Sequence, residues 1–453
     1  MDLTNKKVLV VGLARSGLAA INLLHKFNCN ITLSERKSES EIEQASYLKS
    51  IGVTITDQSQ QVFDQHYDLV VKNPGINYRD PKIQLLKSHG IKVITEIELA
   101  FLVSKKQHYL AITGTNGKTT TTSLLYEILK KKYHQKALLG GNIGIPLCQL
   151  VLDNNLMENE GYYIALEMSN FQLVDCYSFH PEAAVITNLT PDHLDIMKTE
   201  EDYYQSKLRV YQNMSGNDLF IVNQDDEILL SHLQQNPVKC QTVNFTISDN
   251  EQCDNYVKDN FIYINKQKLL DISKIKVVGK HNWQNIMVAC AISKYCNVDD
   301  EIIKDVIYNF KGVKHRLEFV REYKGVKYYN DSKGTNTDAT IIALKSFDKG
   351  VILLVGGYEK GLPMDQLKKH LAPVKKVIGY GYSGQRIVND LVGQQGLVVE
   401  TLDQAVKLAS SIAVDGDVVL LSPTTSSFDQ YSCFEERGEH FIKLVNMLGD
   451  TNE

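Results

Sequence analysis

Residues 113–120 read Thr-Gly-Thr-Asn-Gly-Lys-Thr-Thr and separate two segments of different character. The apolar run Tyr109–Ile112 before them predicts a β-strand, and Thr121–Lys132 after them predicts a helix. A glycine-bearing turn between a strand and a helix attracts anions, because the amides of the turn and of the helix N-terminus point toward the bound group. The stretch therefore predicts an α/β domain that binds a nucleoside triphosphate.

The match is to a shorter variant of the common phosphate-binding loop. In the usual motif the first glycine stands five positions before the Gly-Lys pair, and here that position is Ile112. An ordinary strand-to-helix turn is the alternative. We expect Lys118 to neutralise the outer phosphates and the Thr119 hydroxyl to bind Mg²⁺. The predicted nucleotide contacts are Gly114, Thr115, Asn116, Gly117, Lys118, Thr119 and Thr120.

Composition indicates a large globular enzyme without affinity for nucleic acid. The chain has 453 residues, of which 43% are apolar and 23% charged, and a net charge of −5 gives no electrostatic reason to bind polyanions. Its eight cysteines form no C-x-x-C pair, so neither a zinc site nor a disulfide framework is indicated. No apolar run approaches the roughly 18 residues of a membrane span. We expect a cytoplasmic protein, with nothing that requires a dimer.

Three blocks of alternating strand and helix signals predict three α/β domains. The first and third predict Rossmann-like domains, and the second, with the phosphate loop, a central ATPase domain. We place them at residues 1–106, 107–312 and 313–453. The predicted strands are Lys7–Val11, Asn30–Leu33, Leu69–Val71, Lys92–Thr95, Tyr163–Glu167, Ala183–Asn188, Leu219–Asn223, Lys327–Asp331, Val351–Gly356, Lys376–Gly379 and Val418–Ser422, with an antiparallel excursion at Phe261–Lys268.

The first turn of block one, Gly12–Gly17, imperfectly matches a dinucleotide fingerprint. Ala14 stands where the second glycine should let a pyrophosphate approach, so a redox cofactor is disfavoured. A phosphate could still bind at the helix predicted to begin near Ser16, with Arg15 beside it. Ser34–Arg36 closes the second strand, where a ribose or base is usually bound. A structural turn without a ligand is the alternative.

Acidic side chains end two predicted strands of the central block. Glu167 is placed to bind Mg²⁺ directly or through water, although a solvated surface carboxylate is the competing interpretation. Asn188–Asp195 gathers His193 and two carboxylates in one loop. A neutral His193 could bind a second metal ion or contact a substrate, whereas isolated loop histidines are usually surface groups.

Four further stretches stay ambiguous from spacing alone. Lys207 lies in the helical stretch Glu201–Asn213, where a solvated lysine is the ordinary outcome. Gly279–Asn285 opens the predicted helix Ile286–Tyr295, and its Asn amides could contact an adenine or cap the helix. Arg316 could clamp transferring phosphates, and Asp331 with Lys333 would line the crevice above the third sheet. For Arg316 and for the stretch with Asp331 and Lys333, an interdomain salt bridge is the alternative.

Together these motifs resemble the ATP-dependent Mur ligases of peptidoglycan synthesis over nearly the whole chain. The ordered set comprises Thr113–Thr120, Glu167, Asn188–Asp195, Lys207, Gly279–Asn285, His315-Arg316 and Asp331–Thr335. Asp331-Ser332-Lys333, with Ser427–Gln430 and Phe434–Gly438, is similar to the members that add D-glutamate. Relatives that add meso-diaminopimelate or lysine usually have Asp-Tyr-Ala-His in the third domain.

The resemblance implies a mechanism and a set of roles. ATP would phosphorylate the carboxylate of UDP-N-acetylmuramoyl-L-alanine to an acyl phosphate, which the amine of D-glutamate then attacks. Lys118, His193, Lys207 and Lys333 would be catalytic. Thr119 and Glu167 would hold one Mg²⁺, and His193 with Lys207 another, with Lys207 carbamylated by CO₂. Asn285 would contact adenine, Asp331 the ribose and Arg316 the phosphates.

The resemblance also implies substrate contacts. The uridine nucleotide and muramoyl group would meet Arg15, Ser16, Ser34, Arg36, Asn73, Gly75 and Asn142, and D-glutamate would meet Thr335, Lys360, Ser427 and Phe434. The family often has Ser before Pro74-Gly75 and an Asp-Thr-Arg-like run near Ser34–Arg36, so the uracil contacts differ in detail. A sister ligase for another amino acid, a non-catalytic nucleotide-binding scaffold and, less favoured, a dehydrogenase are the rival interpretations.

Overall fold

The computed structural model describes residues 2–192, 194–359 and 361–449. Three large sheets follow one another along the chain, each built from its own block of sequence and connected by helices. The predicted α/β class is therefore confirmed. None of the described helices is long and apolar enough to cross a membrane.

The first sheet has five parallel strands in the order β3-β2-β1-β4-β5. The strands β1 to β5 are Lys7–Val11, Asn30–Ser34, Thr54–Thr56, Leu69–Lys72 and Val93–Ile94, and the helices α1 to α5 are Ala14–His25, Ala45–Ser50, Gln60–Phe63, Pro81–Ser88 and Glu96–Val103. The strand order reverses at β1, so the loops after β1 and β4 flank the crevice where such sheets bind nucleotides.

The second sheet has six parallel strands in the order β11-β10-β9-β6-β8-β7. The strands β6 to β11 are His108–Thr113, Ala137–Gly141, Tyr163–Glu167, Ala183–Ile186, Gly216–Asn223 and Cys240–Phe245; the helices α6 to α11 are Lys118–Tyr133, Leu147–Asp153, Asn170–Leu173, Leu194–Met197, Glu200–Leu208 and Glu227–Gln235. The central strand β6 is apolar and buried from Tyr109 to Ile112, as expected for a strand covered on both faces.

A small antiparallel sheet follows, with strands β12 to β14 at Tyr256–Lys258, Phe261–Ile264 and Gln267–Asp271. The predicted antiparallel excursion at Phe261–Lys268 is thus confirmed. The next helices, α12 and α13, are Lys280–Tyr295 and Asp300–Asn309. The predicted start of α12 at Ile286 is wrong, because Gly279 turns the chain with a φ of +92° and the helix begins at the next residue.

The third sheet has six strands in the order β15-β16-β20-β17-β18-β19, of which β15 alone runs antiparallel to its neighbour. The strands β15 to β20 are Glu318–Tyr323, Val326–Asn330, Val351–Gly356, Val374–Tyr380, Leu397–Val398 and Val418–Leu421; the helices α14 to α18 are Thr337–Leu344, Asp365–Lys368, Gly381–Val392, Leu402–Ile412 and Phe434–Asn446. Loops after β16, β17 and β20 meet at one edge of this sheet.

Contacts group the chain into two compact units. The first contains residues 1–273 and 283–307, and the second contains residues 274–282 and 308–453. In the first unit, α1 and α5 pack against α7 of the central block. The predicted boundaries at 106/107 and 312/313 fall between secondary-structure elements and stay predictions.

Two further predicted helices, α1 and the one that contains Lys207, differ in extent from the observed ones. Helix α1 begins at Ala14 rather than near Ser16, because Gly12, at a φ of +84°, turns the chain directly after β1. The predicted helix Glu201–Asn213 ends as an α-helix at Leu208 and continues as a tighter 3₁₀ turn over Arg209–Tyr211. Lys207 therefore lies in the last turn of α10.

Candidate active site

The loop between β6 and α6 has the shape that its glycines predict. Gly114 and Gly117 have φ values of +136° and +84°, a region that residues with a side chain rarely adopt. A Cβ at Gly114 would collide with Thr187, and one at Gly117 would collide with the side chain of Asn285. The loop can follow this tight path only with glycine at both positions.

Hydrogen bonds fasten the loop to the segment after β9. The Thr115 and Asn116 amides donate to the carbonyl and side-chain oxygens of Asn188, each over 2.9 Å. The Asn188 side chain in turn donates to the Asn116 carbonyl over 3.0 Å. These two amides are therefore used to hold the loop. The first-turn amides of α6, which an α-helix leaves without intrahelical partners, are the ones placed to meet an anion.

Two lysines from different helices converge on one carbonyl of this loop. Lys118 Nζ and Lys207 Nζ each donate to the Gly114 carbonyl oxygen over 2.8 Å, and Lys118 also donates to the Thr115 carbonyl. Lys207 is 1% exposed and lies over the ring of Tyr203. Burial, and secondly the charge of Lys118, hold the pKa of Lys207 well below its usual range, although Asp192 and Glu167 partly offset them. The spacing of residues along the helix could not reveal that Lys207 is buried beside Lys118.

Glu167 ends β8, the strand beside β6, and is 1% exposed. Its Oε1 accepts a hydrogen bond from Asn142 Nδ2 over 2.7 Å, whereas the buried Oε2 has no hydrogen-bond partner in the described chain. A buried carboxylate oxygen without a donor is costly unless a cation meets it. The Glu167 carboxylate therefore fits a hard divalent cation, and Thr119, the further ligand that was predicted, is the second residue of helix α6.

The predicted second metal position is only partly visible. His193 lies outside the described residues, and among those that are described no three His, Cys, Asp or Glu side chains gather as a metal site. The metal roles of Thr119, Glu167, His193 and Lys207 stay predictions.

Asn285 lies in the second turn of α12 and is 5% exposed. Its Oδ1 accepts a hydrogen bond from Thr121 Oγ1 over 3.1 Å and faces Gly117. Asn282 donates to the Val278 carbonyl. Asn285 thus abuts the phosphate loop, and its contact with adenine stays a prediction.

The loop after β1 is closed by the carboxylate of Glu35, which lies in the stretch Ser34–Arg36 predicted to meet a nucleotide. Glu35 Oε2 accepts a hydrogen bond from the Leu13 amide over 2.7 Å, and Gly17 packs where a Cβ would collide with the Gly12 carbonyl. Exposed Arg15 Nη1 reaches the Gly144 carbonyl at 3.4 Å. Arg15 and neighbouring Ser16 therefore begin α1 beside the loop that carries Asn142.

The other predicted uridine contacts already have protein partners. Ser34 is fully buried and its hydroxyl donates to the Asp57 carbonyl over 2.9 Å. Arg36 donates to the Gln58 side chain. Asn73 Oδ1 accepts from the Gly75 amide, which turns the chain after β4. These bonds give the residues structural roles, and their contacts with a nucleotide stay predictions.

The loop that carries Asn142 is held by Glu96, the first residue of α5. Both carboxylate oxygens of Glu96 meet the start of α7, accepting from the Cys148 amide over 2.9 Å and the Leu147 amide over 3.4 Å. Burial raises the pKa of Glu96 to about 7, since the loss of water outweighs these hydrogen bonds.

The raised pKa of Glu96 predicts that the stability of the protein depends on pH. In the folded protein the carboxyl keeps its proton up to about pH 7, whereas in the unfolded chain it loses the proton near pH 4.5. Its contribution to the free energy of unfolding is therefore full below pH 4.5 and is lost as the pH rises through 7. We expect the unfolding free energy of the parent minus that of Glu96→Gln to fall by at most about 3 kcal/mol over this range. Urea unfolding at several pH values measures it. Glu127→Gln, on the exposed face of α6, is the control; a pH-independent difference contradicts the prediction.

In the C-terminal unit, Asp331 follows β16 and is 5% exposed. Its Oδ2 accepts from Ser422 Oγ over 2.8 Å and its Oδ1 from the Leu317 amide over 3.1 Å. Burial raises the pKa of Asp331 to about 6, against the opposing effects of these bonds and of Arg316. The buried Arg316 Nε has no hydrogen-bond partner in the described chain. Both predicted nucleotide contacts thus lie together at one edge of the third sheet.

The predicted D-glutamate contacts lie at the same edge. Lys333 Nζ lies 5.5 Å from the ring centre of Phe434, and the Thr335 amide donates to the Lys333 carbonyl. Ser427 is 1% exposed, in the loop after β20. Lys360 lies outside the described residues. Arg437 was quoted only as part of the motif Phe434–Gly438 and given no role of its own, but it is fully buried and donates to Ser332 and Thr425.

Family models match most of the chain in three successive parts. Residues 6–95 match the MurD-like N-terminal domain of Mur ligases, residues 112–293 the Mur ligase middle domain, and residues 315–425 the Mur ligase glutamate ligase domain.

Full-length relatives and solved structures agree with this division. The chain is 39% identical over 452 residues to the UDP-N-acetylmuramoylalanine--D-glutamate ligase of Bacillus subtilis (strain 168), and 38% identical over 450 residues to that of Geobacillus sp. (strain WCH70); both alignments cover 98% of each protein. The fold is similar to MurF ligase from Thermotoga maritima, solved in complex with ADP, with a TM-score of 0.60 at 16% identity over 99% of this chain and all of that one.

Proposed function

Because the chain belongs to the Mur ligase family, we propose that it is an ATP-dependent ligase that joins D-glutamate to UDP-N-acetylmuramoyl-L-alanine. The relatives that support this assignment are named for that activity and align with the chain from end to end. The observation that carries the chemistry is the convergence of Lys118 and Lys207 on the Gly114 carbonyl, with the Glu167 carboxylate among the charges that act on Lys207.

The reaction divides a difficult amide synthesis into two easier steps. A carboxylate oxygen of the nucleotide substrate attacks the terminal phosphorus of ATP, ADP leaves, and an acyl phosphate forms. The amine of D-glutamate then attacks the acyl carbon, loses a proton and expels inorganic phosphate, which leaves an amide. Holding the reacting groups in place supplies much of the rate enhancement.

In the central domain, the residues of the loop have distinct tasks. The first-turn amides of α6 and the ammonium group of Lys118 would bind the phosphates and meet the charge that develops on the transferred group. Mg²⁺, when bound, would screen the phosphate oxygens from the attacking carboxylate. Glu167 and Thr119 would hold it. Asn142, which donates to Glu167, couples the metal carboxylate to the loop assigned to the muramoyl group.

Carbamylation of Lys207 belongs to this proposal. Only a neutral amine reacts with CO₂, and burial together with the charge of Lys118 favours the neutral form of Lys207. The product carries one negative charge shared by two oxygens, and such oxygens are ligands that Mg²⁺ prefers. In the C-terminal unit, Lys333, Thr335, Lys360, Ser427 and Phe434 are assigned to the amino acid and the reacting carboxylate.

A phosphate-release assay tests the function directly. We expect turnover only when Mg²⁺, ATP, UDP-N-acetylmuramoyl-L-alanine and D-glutamate are all present, with the UDP-muramoyl dipeptide identified by mass spectrometry. D-Glutamate is compared with L-lysine, meso-diaminopimelate and L-alanine. A preference for another amino acid would make the chain a sister ligase, and failure to turn over ATP with any of them would make it a non-catalytic relative.

A further inference from the structure

Arg437, in the second turn of α18, is a fully buried arginine whose acceptors are all neutral. Its Nε donates to Ser332 Oγ over 2.9 Å, and its Nη2 donates to the Ser332 carbonyl over 2.8 Å and to the Thr425 carbonyl over 3.2 Å. The neutral Tyr380 hydroxyl also lies close to the guanidinium, and Nη1, which lies against Gly357, has no other hydrogen-bond partner in the described part of the chain. The guanidinium is held in place, but its charge is not neutralised by these contacts.

No carboxylate among the described residues lies within ion-pair distance of Arg437. Asp331 is close enough for Arg437 to lower its pKa, but its oxygens accept from Ser422 and Leu317. Asp429 is also nearby and accepts from the Tyr382 amide. Burying a cation without a paired anion is costly, and an apolar side chain of similar volume would fill the space without that cost. A buried charge in this position is therefore suited to an anion that binds during function.

The place of Arg437 identifies which anion. Ser332 precedes Lys333 in the loop after β16, its hydroxyl donates to the Phe434 carbonyl over 2.8 Å, and Thr425 lies two residues before Ser427 in the loop after β20. One guanidinium thus braces the segments that carry all the described contacts assigned to the amino acid. A substrate bound there would lie within the field of an unpaired positive charge.

We propose that Arg437 is a specificity-determining residue that favours an amino acid with two carboxylates over a neutral one. The inference rests on the proposed function, because it takes the loops after β16 and β20 as the amino-acid site. Arg437 does not touch the substrate. It acts through its buried charge, which stabilises a second carboxylate more strongly than the amide of an otherwise identical ligand.

The test compares D-glutamate with D-glutamine, which differ in that one charge. KM for D-glutamate and the inhibition constant of D-glutamine are measured for the parent, Arg437→Gln and Arg437→Lys. We expect Arg437→Gln to raise KM for D-glutamate about tenfold or more, as loss of a buried charge within roughly 10 Å implies, while the D-glutamine constant changes less than about threefold. Arg437→Lys keeps the charge and should keep the preference.

The matched control is Ser332→Ala, which removes an acceptor of the guanidinium but leaves the charge, and it should leave the preference unchanged. If Ser332→Ala or Arg437→Lys loses the preference as fully as Arg437→Gln, the residue acts only by bracing the loops and the inference is wrong. If Arg437→Gln does not fold, the Lys variant decides alone by keeping or losing the preference. A parent that ignores D-glutamate altogether would instead overturn the proposed function.

Discussion

Lys118→Ala should lose at least about a thousandfold in the rate of phosphate release, the largest effect we expect from a single charge in the loop. The lysine begins α6 and lies at the Gly114 and Thr115 carbonyls, beside the amides that would bind the phosphates. Without its ammonium group, the charge that develops on the transferred phosphoryl oxygens has one fewer donor in a buried site. Phosphate release with saturating substrates measures the loss.

Lys130→Ala is the matched control, because Lys130 is an exposed lysine in the last turn of the same helix and should retain the parental rate. Loss of the two hydrogen bonds from Lys118 to backbone carbonyls should cost only about 1 to 3 kcal/mol, so urea unfolding should show a folded variant. A Lys118→Ala enzyme that keeps more than about a tenth of the parental rate would exclude the proposed phosphate role.

The phosphate loop could be predicted from sequence because its determinants are local. An apolar run, two glycines and a helix-forming stretch lie within about two dozen residues, and each has one obvious conformation. The same holds for Tyr163–Glu167, which the structure places as β8 beside β6, with Glu167 at its carboxyl end. When the end of a strand can be read from the sequence, the edge of the sheet at which its last side chain lies can be predicted as well.

The positions of long-range polar partners could not be predicted in this way. Arg437 binds Ser332, 105 residues earlier, and Glu96 meets Cys148, 52 residues later. Neither spacing forms a pattern, because such pairs are created only when separate loops pack together. Strand β15, Glu318–Tyr323, was missed for a different reason. It is an edge strand of charged and aromatic residues, largely half-exposed, and gives no apolar run.

Lys207 shows what local sequence can predict and what it cannot. Its helix was predicted and its burial was not, since Glu200–Leu208 is rich in polar residues and a lysine in such a stretch is ordinarily solvated. The resemblance to a family selected it, and the structure supplies a physical reason for the carbamylation proposed above: burial and a neighbouring cation favour the neutral form of the amine.

Lys207→Ala should lose about a thousandfold or more in turnover, and a small carboxylate such as acetate should restore part of it. In the parent, the neutral amine forms a bond to the carbon of CO₂ and releases its proton, which leaves a carbamate. Glu167 and Asp192, whose charges act on Lys207, would repel this anion unless a divalent cation lay between them, so carbamylation and Mg²⁺ should depend on each other. Turnover at several acetate and Mg²⁺ concentrations measures the rescue.

Lys207→Arg is the informative control. It keeps a positive charge, cannot form a carbamate and leaves no space for acetate, so it should be as inactive as the Ala variant and should not be rescued. Removing CO₂ from the buffer should slow the parent enzyme, and bicarbonate should restore it, with intact-protein mass spectrometry detecting the added CO₂. Because an ordinary ammonium role would leave the parent indifferent to CO₂ and the Ala variant indifferent to acetate, these two results together would refute the carbamate.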